Sequence, residues 1–443
     1  MNSTKATTIA LLLLASLVSE GQTAAPQEGP VITLNQAIDR ARANEPAFAA
    51  AVAASRVAGL EKSIARAGLL PTATYHNQYL YTQPNGATNA AGSTGTQAAP
   101  KFIANNAVRE YASQGIVTET IGMQGFNAVS LASAQAAVAQ AEMEVARRGL
   151  VATVVSLYYG VSSSHARWTV AQRAASEAAD FTKQTTQREA AREAAHADVV
   201  KAKLQQQQRD RDLADATLAY NKAKLELGVL LNPDPRSPYE VVLSADPPAL
   251  APRTEIEAAA AKLNPELQSA LAQLKASNLS VTAARAAYLP DLALNYTYGI
   301  DAEQFAANGP QGVRNLGYSA SATLDIPVWN WLSTAHKVKQ SEIQRDAAKV
   351  ALTATQRRLI AQLEESYAEA AAAQAQLASL EESVQTAAES LRLTRMRYTS
   401  GESTVLEVVD AQNSLTTAEV ARADGTMRYQ TALAQLQLLT GTI

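Results

Sequence analysis

The chain has 443 residues and no cysteine, and its acidic and basic residues nearly balance at a net charge of -3. The absence of cysteine excludes disulfides and thiolate chemistry, and the near-neutral charge gives no reason to expect a nucleic-acid partner. Hydrophobic residues make up 47% of the chain but aromatic residues only 5%. Because much of the hydrophobic fraction is alanine, which favours helix and buries little area, we predict long helices in close contact.

The N-terminal segment 1–25 has the pattern of an export signal. Lys5 precedes a short apolar run, Ile9 to Val18, and small residues follow it. The run is shorter than the ~20 residues that a spanning helix needs, and no longer apolar run follows. We therefore expect residues 1–25 to be a cleaved signal peptide and the mature protein to lie outside the cytoplasm. An uncleaved N-terminal anchor is the alternative.

The two halves of the chain follow the same plan. The spacing between Pro46 and Pro71 recurs between Pro265 and Pro290 in the second half. Each pair flanks a helical pattern that is followed by a strand pattern, so coincidence is a poor explanation. We predict a duplicated unit, joined by a proline-rich connector. The predicted segments are a first repeat at 26–231, the connector at 232–254 and a second repeat at 255–443.

A β-hairpin is predicted in each repeat, because after Pro71 and Pro290 the apolar period changes from helical to two. The first hairpin covers 71–121 and contains a polar loop at 83–107, and the second covers 290–326. The strands at 72–82, 290–300 and 315–326 place apolar residues on one face and polar or small residues on the other, whereas the return strand near 109–121 is less regular. The tyrosines expected on the apolar faces are Tyr75, Tyr79, Tyr296, Tyr298 and Tyr318.

The hairpins have the length and pattern of membrane strands. The strands at 290–300 and 315–326 are close to the ~9–11 residues that a tilted strand needs to cross a bilayer. One apolar face and one polar face suit a strand between lipid and a water-filled lumen. Because two hairpins cannot close a barrel, this interpretation requires several copies of the chain. A soluble hairpin packed on the helices is the alternative.

The remaining sequence is predicted to be helical. Residues 127–193 and 332–398 lack proline, and each would form a helix on the order of 100 Å long. Two shorter helices placed end to end would match one long helix. Small residues separate polar ones on several faces, which predicts the wall of a hollow tube, with an elongated coiled-coil rod as the alternative. The shorter helices are expected at 34–70, 197–230, 255–289 and 403–440.

The order of signal, helix, hairpin, long helix and short helix, with the last four repeated, resembles the TolC-like outer membrane efflux proteins over essentially the whole mature chain. The most specific stretch is 397–415, RYTSGESTVLEVVDAQNSL, which is similar to the helix-turn-helix tip of that family. Its counterpart in the first repeat begins at Arg188. Residues 325–329, DIPVW, resemble the turn at which the second hairpin re-enters the helical wall.

The resemblance implies a mostly helical fold with a small β part. Duplicated long-helix hairpins would form a trimeric α-barrel, and four strands per chain would contribute to a 12-stranded transmembrane β-barrel surrounded by outer membrane lipid. It further implies the outer membrane channel of a tripartite efflux or secretion system, which exports small molecules or proteins passively. The implied partners are two further copies of the chain, a periplasmic adaptor protein and a proton-driven or ATP-driven inner-membrane pump. A secreted periplasmic coiled-coil scaffold without a membrane barrel is the alternative.

The resemblance also assigns roles at the second tip. Tyr398 matches a tyrosine that latches the closed tip, and Glu407 and Asp410 match positions that line the periplasmic aperture. Three positions apart, the two carboxylates share one helix face, and three copies should raise some of their pKa values and favour cations. Some relatives carry a basic latch residue where this chain has Ser403. The residues expected at the tips, where an adaptor would dock, are Gly401, Ser403, Arg188 and Asp198.

Enzymatic functions have little support in the sequence. The four histidines are not paired at ligand spacing, and no nucleotide-binding, metalloprotease or serine-hydrolase motif is present. His196 beside Asp198 could indicate a metal or pH response, but a solvated histidine is the simpler interpretation. We therefore expect no catalytic residue, no cofactor and no metal site.

Overall fold

The computed structural model describes residues 29–81, 109–242 and 248–442. The predicted signal peptide and the predicted loop at 83–107 lie outside the described residues. The described part is mostly helical with a small β part, as the sequence predicts. The helices are α1 Leu34–Asn44, α2 Pro46–Ala67, α3 Met123–Ala190, α4 His196–Leu231, α5 Arg253–Leu263, α6 Pro265–Ala286, α7 Ser333–Thr399 and α8 Val405–Thr440. The strands are β1 Val31–Ile32, β2 Thr72–Tyr81, β3 Arg109–Gly122, β4 Glu240–Val241, β5 Asp291–Ala302 and β6 Leu316–Asp325.

Two helices precede the hairpin in each repeat, and the single helices predicted over 34–70 and 255–289 are wrong. Pro46 and Pro265 are the first residues of α2 and α6. Proline has no backbone N–H to continue a helix but suits the first helical position. The preceding residues, Glu45 and Asn264, accept hydrogen bonds from backbone N–H groups of the new helices and so cap them.

The long helices α3 and α7 have 68 and 67 residues, and the helices that follow them, α4 and α8, have 36 each. α3 packs against α2, α4, α6 and α8, while α7 packs against α6 and α8, so the two repeats lie side by side. Among the helices that the structure describes, none carries an apolar stretch that could cross a membrane.

The two hairpins join into one antiparallel sheet with the strand order β2-β3-β5-β6. The inner strands β3 and β5 pair from Tyr111 opposite Ala302 to Gly122 opposite Asp291. In this register every predicted strand tyrosine lies on the same face, because successive residues alternate between faces. Within the described residues that face is uncovered, since Tyr75 is 72% and Tyr318 75% exposed. Within the described residues, neither outer strand, β2 or β6, has a second strand partner.

The connector between the repeats is anchored to the first repeat. Its strand β4 pairs in parallel with β1 near the N-terminus. The buried Tyr239 ring precedes β4, and its hydroxyl donates to the carbonyl oxygen of Lys224 at 2.5 Å. The hydroxyl of Tyr158 on α3 lies 3.1 Å from the carbonyl oxygen of Ile32 and 2.9 Å from that of Val242. The connector therefore belongs to the largest apolar cluster of the described residues, where β1, α1, α3 and α4 meet.

Candidate functional site

The second tip is a tight reversal between α7 and α8. Gly401 has a φ of +79°, in the left-handed region where glycine carries no Cβ penalty. Its N–H donates to the carbonyl oxygen of Tyr398 at 3.1 Å, and the N–H of Glu402 donates to that of Arg397 at 2.8 Å. This pattern is a Schellman motif, which satisfies the last carbonyls of α7. Gly401 therefore ends the long helix and turns the chain back.

Thr404 and Glu407 begin α8 with a capping box. The Thr404 hydroxyl accepts from the backbone N–H of Glu407, and the Glu407 carboxylate accepts from the backbone N–H of Thr404, both at 3.3 Å. The Ser403 hydroxyl donates to the same carboxylate at 2.8 Å. The hydrogen bond from Ser403 and those from Thr404 stabilise the ionised form and lower the pKa of Glu407. Ser403 thus orients an acidic group, and the basic group near it is Arg397, with its Nη1 3.8 Å from Glu407 Oε2.

Glu407 and Asp410 are both exposed, while Val405 and Val408 on the same turns are buried. The helix therefore packs through its valines and presents its two carboxylates on the opposite side, as their spacing predicts. Within one chain the hydrogen bonds lower the pKa of Glu407. The raised pKa values expected around an aperture require carboxylates of further copies and stay a prediction.

Tyr398 lies inside the chain, where it joins the two tips. Its side chain is only 6% exposed, and its ring packs edge-on against Phe181 of α3 with the centroids 5.2 Å apart. Its hydroxyl donates to Thr185 Oγ1 at 3.3 Å. The Arg188 guanidinium lies 4.8 Å from the ring centroid and donates to the Tyr398 carbonyl oxygen. The structure thus brings together Tyr398 and Arg188, to which the sequence assigns separate roles.

The first tip has the same reversal with different side chains. Arg192 takes the left-handed position with a φ of +64°, and the N–H of Glu193 donates to the carbonyl oxygen of Arg188 at 2.8 Å. α4 begins after Ala195, which offers no side-chain cap, and Asp198 lies in its first turn. Asp198 occupies the position in the first repeat that Glu407 occupies in the second.

His196 pairs with a different carboxylate from the one the sequence suggests. Its Nδ1 lies 2.7 Å from Glu189 Oε1 at the end of α3, whereas the neighbour considered in the sequence is Asp198. Across the described ranges, no group of three or more His, Asp or Glu side chains is placed to hold a metal ion. The pair lies at the surface, because the His196 side chain is largely exposed.

Ion pairs behind the tips connect the two repeats, and no pattern in the sequence predicts them. Arg395 on α7 lies 3.0 Å from Glu177 on α3, measured from Nη2 to Oε2. Arg173 on α3 forms an ion pair with Glu419 on α8, which is 5% exposed although it is charged. The partners belong to different repeats and are far apart in sequence, so helical periodicity cannot pair them. The burial of Glu419 shows only in the packed structure.

Comparisons with known proteins agree with this architecture. Residues 258–442 match the family model described as outer membrane efflux protein. The chain is 27% identical over 232 residues to outer membrane protein OprJ of Pseudomonas aeruginosa, an alignment that covers 52% of this chain and 47% of OprJ. The chain thus matches about half the length of this curated relative.

Two solved structures share the fold over nearly the whole chain. The CmeC outer membrane channel of Campylobacter jejuni superimposes with a TM-score of 0.78 at 15% identity, covering 98% of this chain and 94% of CmeC. The outer membrane protein VceC of Vibrio cholerae gives a TM-score of 0.76 at 17% identity, covering 92% of this chain and 96% of VceC. The predicted resemblance to the TolC-like outer membrane efflux proteins is therefore confirmed, by sequence in the second repeat and by fold over nearly the whole chain.

Proposed function

We propose that this protein is the outer membrane channel of a tripartite efflux or secretion system and works as a homotrimer. The channel is passive and carries small molecules or proteins from a periplasmic pump assembly to the exterior. The chain reaches the outer membrane after removal of residues 1–25. OprJ and CmeC, which it resembles, are described as an outer membrane protein and an outer membrane channel.

The four-stranded sheet is the observation that carries the proposal. One face carries tyrosine and leucine, the other carries mainly polar or small residues, and both outer strands β2 and β6 present an unpaired edge within the described residues. An exposed edge invites pairing with another chain, and a closed barrel removes all edges. Three copies would join into twelve strands, with the tyrosine face toward lipid and the polar face toward a lumen.

The helices support the same assembly. α2 has 22 residues, none of them buried, and its apolar residues Val57, Leu60 and Ile64 are exposed. α7 likewise exposes apolar residues along its length, among them Ile343 and Val350. A helix whose residues all stay at least partly exposed within its own chain gains stability by packing on a neighbour. Lateral packing of three copies would cover these faces and extend the barrel as a helical tube through the periplasm.

The tips are proposed as the periplasmic mouth. In the trimer, Glu407 and Asp410 of each copy would face the axis and form an acidic aperture that favours cations. Tyr398 would set the position of the aperture from inside the tip, since it joins α7 to α3. An adaptor protein would dock on the outer side of the tips, and the residues proposed for this contact are Gly401, Ser403, Arg188 and Asp198. An inner-membrane pump, driven by protons or ATP, would supply the energy.

Membrane fractionation followed by conductance measurement tests the proposal. We expect the full chain in the outer membrane fraction as a trimer that dissociates on heating, and we expect the purified trimer to conduct ions in planar bilayers. A monomeric rod in the soluble periplasmic fraction, without conductance, would contradict the proposal and support the coiled-coil scaffold instead. Mass spectrometry of the mature N-terminus tests the removal of residues 1–25 in the same preparation.

A further inference from the structure

Glu119 is a charged residue on the face of the sheet that carries the strand tyrosines, which we call the tyrosine face. It lies on β3 opposite Leu294 of β5, in the same face as Val117 and Ile121. Among the strand residues described on this face, it is the one carboxylate. An ionised group on an apolar, lipid-facing surface is costly unless it has a partner, and such a residue is a functional-site hypothesis by default.

A cavity lies over Glu119 on this face. Its volume is about 480 Å³, and its walls are mainly apolar, with Pro71, Leu294 and Tyr296 among them. Glu119 Oε2 is covered by the surrounding protein and has no hydrogen-bond partner in the described part of the chain. The side chain as a whole is only partly buried and lines the cavity. A ligand that enters the cavity would therefore meet apolar walls and the side chain of one carboxylate, Glu119.

The position of Glu119 along its strand fits contact with a phospholipid headgroup. It lies three positions before Gly122, the last residue of β3, which is about 10 Å along the strand. At the same end of the sheet, the segment after β6 exposes Trp329 and Trp331, the latter by 84%. Exposed tryptophans are typical of the membrane–water interface. Glu119 would then lie slightly inside that interface, within reach of a headgroup whose acyl chains follow the sheet.

We propose that this cavity binds a phospholipid of the periplasmic leaflet with a primary ammonium headgroup. The ammonium donates to the Glu119 carboxylate, and an acyl chain packs along Leu294 and Tyr296. A headgroup with net negative charge is disfavoured, because the one charge on this wall is negative. The inference rests on the proposed function, since it requires the tyrosine face to lie in the membrane.

Native mass spectrometry of the purified full-length trimer tests the inference. The probes are phosphatidylethanolamine, phosphatidylglycerol and phosphatidylcholine with identical acyl chains, added singly. Phosphatidylethanolamine is expected to bind about tenfold more tightly than phosphatidylglycerol, the size expected of one charge-assisted hydrogen bond. Phosphatidylcholine should bind more weakly than phosphatidylethanolamine, because its quaternary ammonium has no N–H donor.

Two matched variants assign the effect to Glu119. Glu119→Gln should abolish the preference for phosphatidylethanolamine, while Asp325→Asn, the same change on the polar face near the same end of the sheet, should leave it intact. Equal binding of the three lipids, an unchanged preference in Glu119→Gln, or its loss in Asp325→Asn would overturn the inference. The lipid-free spectrum keeps the two proposals apart: a trimer without preference refutes the lipid site alone, and a monomer refutes the channel.

Discussion

The two tips share a backbone and differ in how their side chains support it. Both long helices end in a Schellman-type reversal with one left-handed residue, which is Gly401 in the second tip and Arg192 in the first. The second tip adds a capping box through Thr404 and Glu407, whereas Ala195 in the first offers no cap. A non-glycine residue in the left-handed region costs roughly 1 kcal/mol, and a missing N-cap costs about as much.

The comparison shows that the two tips share one backbone geometry while the side-chain support of that geometry differs. The second tip is held by its own side chains, and it is the tip that presents two carboxylates, Glu407 and Asp410. Their counterparts in the first tip are Asp198 and Lys201, whose charges cancel. The better-supported tip therefore carries the proposed aperture. The first tip packs against the second through Arg188, whose guanidinium lies over the ring of Tyr398.

The largest difference between the tips should come from Tyr398. Tyr398→Ala leaves a cavity against Phe181 and removes the hydroxyl bond to Thr185, and we expect the tip to lose about 3 kcal/mol of local stability. Amide hydrogen exchange at the C-terminal end of α7 and the N-terminal end of α8, measured in the purified trimer, reports this loss. The equivalent first-tip change, Glu189→Ala, is the control and should cost under about 0.5 kcal/mol. Equal losses in both variants would show that Tyr398 does not hold the tips together.

The left-handed residues should respond in opposite directions. Gly401→Ala meets no atom within 4 Å of the added Cβ, so its expected cost of about 1 kcal/mol is purely conformational. Arg192→Gly relieves the same conformation in the first tip and should stabilise it by about 0.5–1 kcal/mol. Protection of the tip amides against hydrogen exchange reports both changes. A loss of protection in Arg192→Gly would mean that the Arg192 side chain makes a contact that outweighs its backbone strain.

The smallest change in the stability of the tip is expected from Glu407 and Asp410, whose replacement should affect conductance instead. Glu407→Gln with Asp410→Asn removes the proposed acidic ring, yet glutamine can keep the capping box with Thr404. We expect a single-channel conductance raised about twofold and a loss of sensitivity to divalent cations, because the constriction no longer attracts them. The first-tip pair Asp198→Asn with Lys201→Gln is the charge-balanced control and should leave both properties unchanged. Unaltered conductance and cation sensitivity in the second-tip variant would remove Glu407 and Asp410 from the aperture.

Most helices and strands of the fold could be predicted from the pattern of apolar and polar residues along the chain. The errors concern where two helices begin and one pair of short strands. Period-two alternation located β2, β5 and β6 within a few residues, the less regular return near 109–121 located β3, and the proline-free runs located α3 and α7. The breaks at Pro46 and Pro265 were missed because an alanine-rich pattern on both sides favours continuous helix. The pairing of β1 with β4 was also missed, since such short strands have too few residues to show a period.

The tip motif in the sequence predicted the candidate residues but not which side chains they contact or how deeply they are buried. The spacing of Glu407 and Asp410 correctly placed both on one exposed helix face, because that depends only on helix geometry. The burial of Tyr398, its contact with Arg188 and the ion pair of Arg173 with Glu419 link the two repeats between segments far apart in the chain. No short-range pattern carries that information.

Sequence by itself determined the repeated order of helices and strands, the two faces of β2, β5 and β6 and the reversals at the tips, because each depends on residues that are neighbours along the chain. Tertiary structure alone decided that β3 and β5 join the hairpins into one sheet with all the predicted strand tyrosines on a single face. It also decided that Glu119 lies among them with a carboxylate oxygen that has no partner in the described residues. These features depend on which distant segments pack together, and that is set by the free energy of the whole fold.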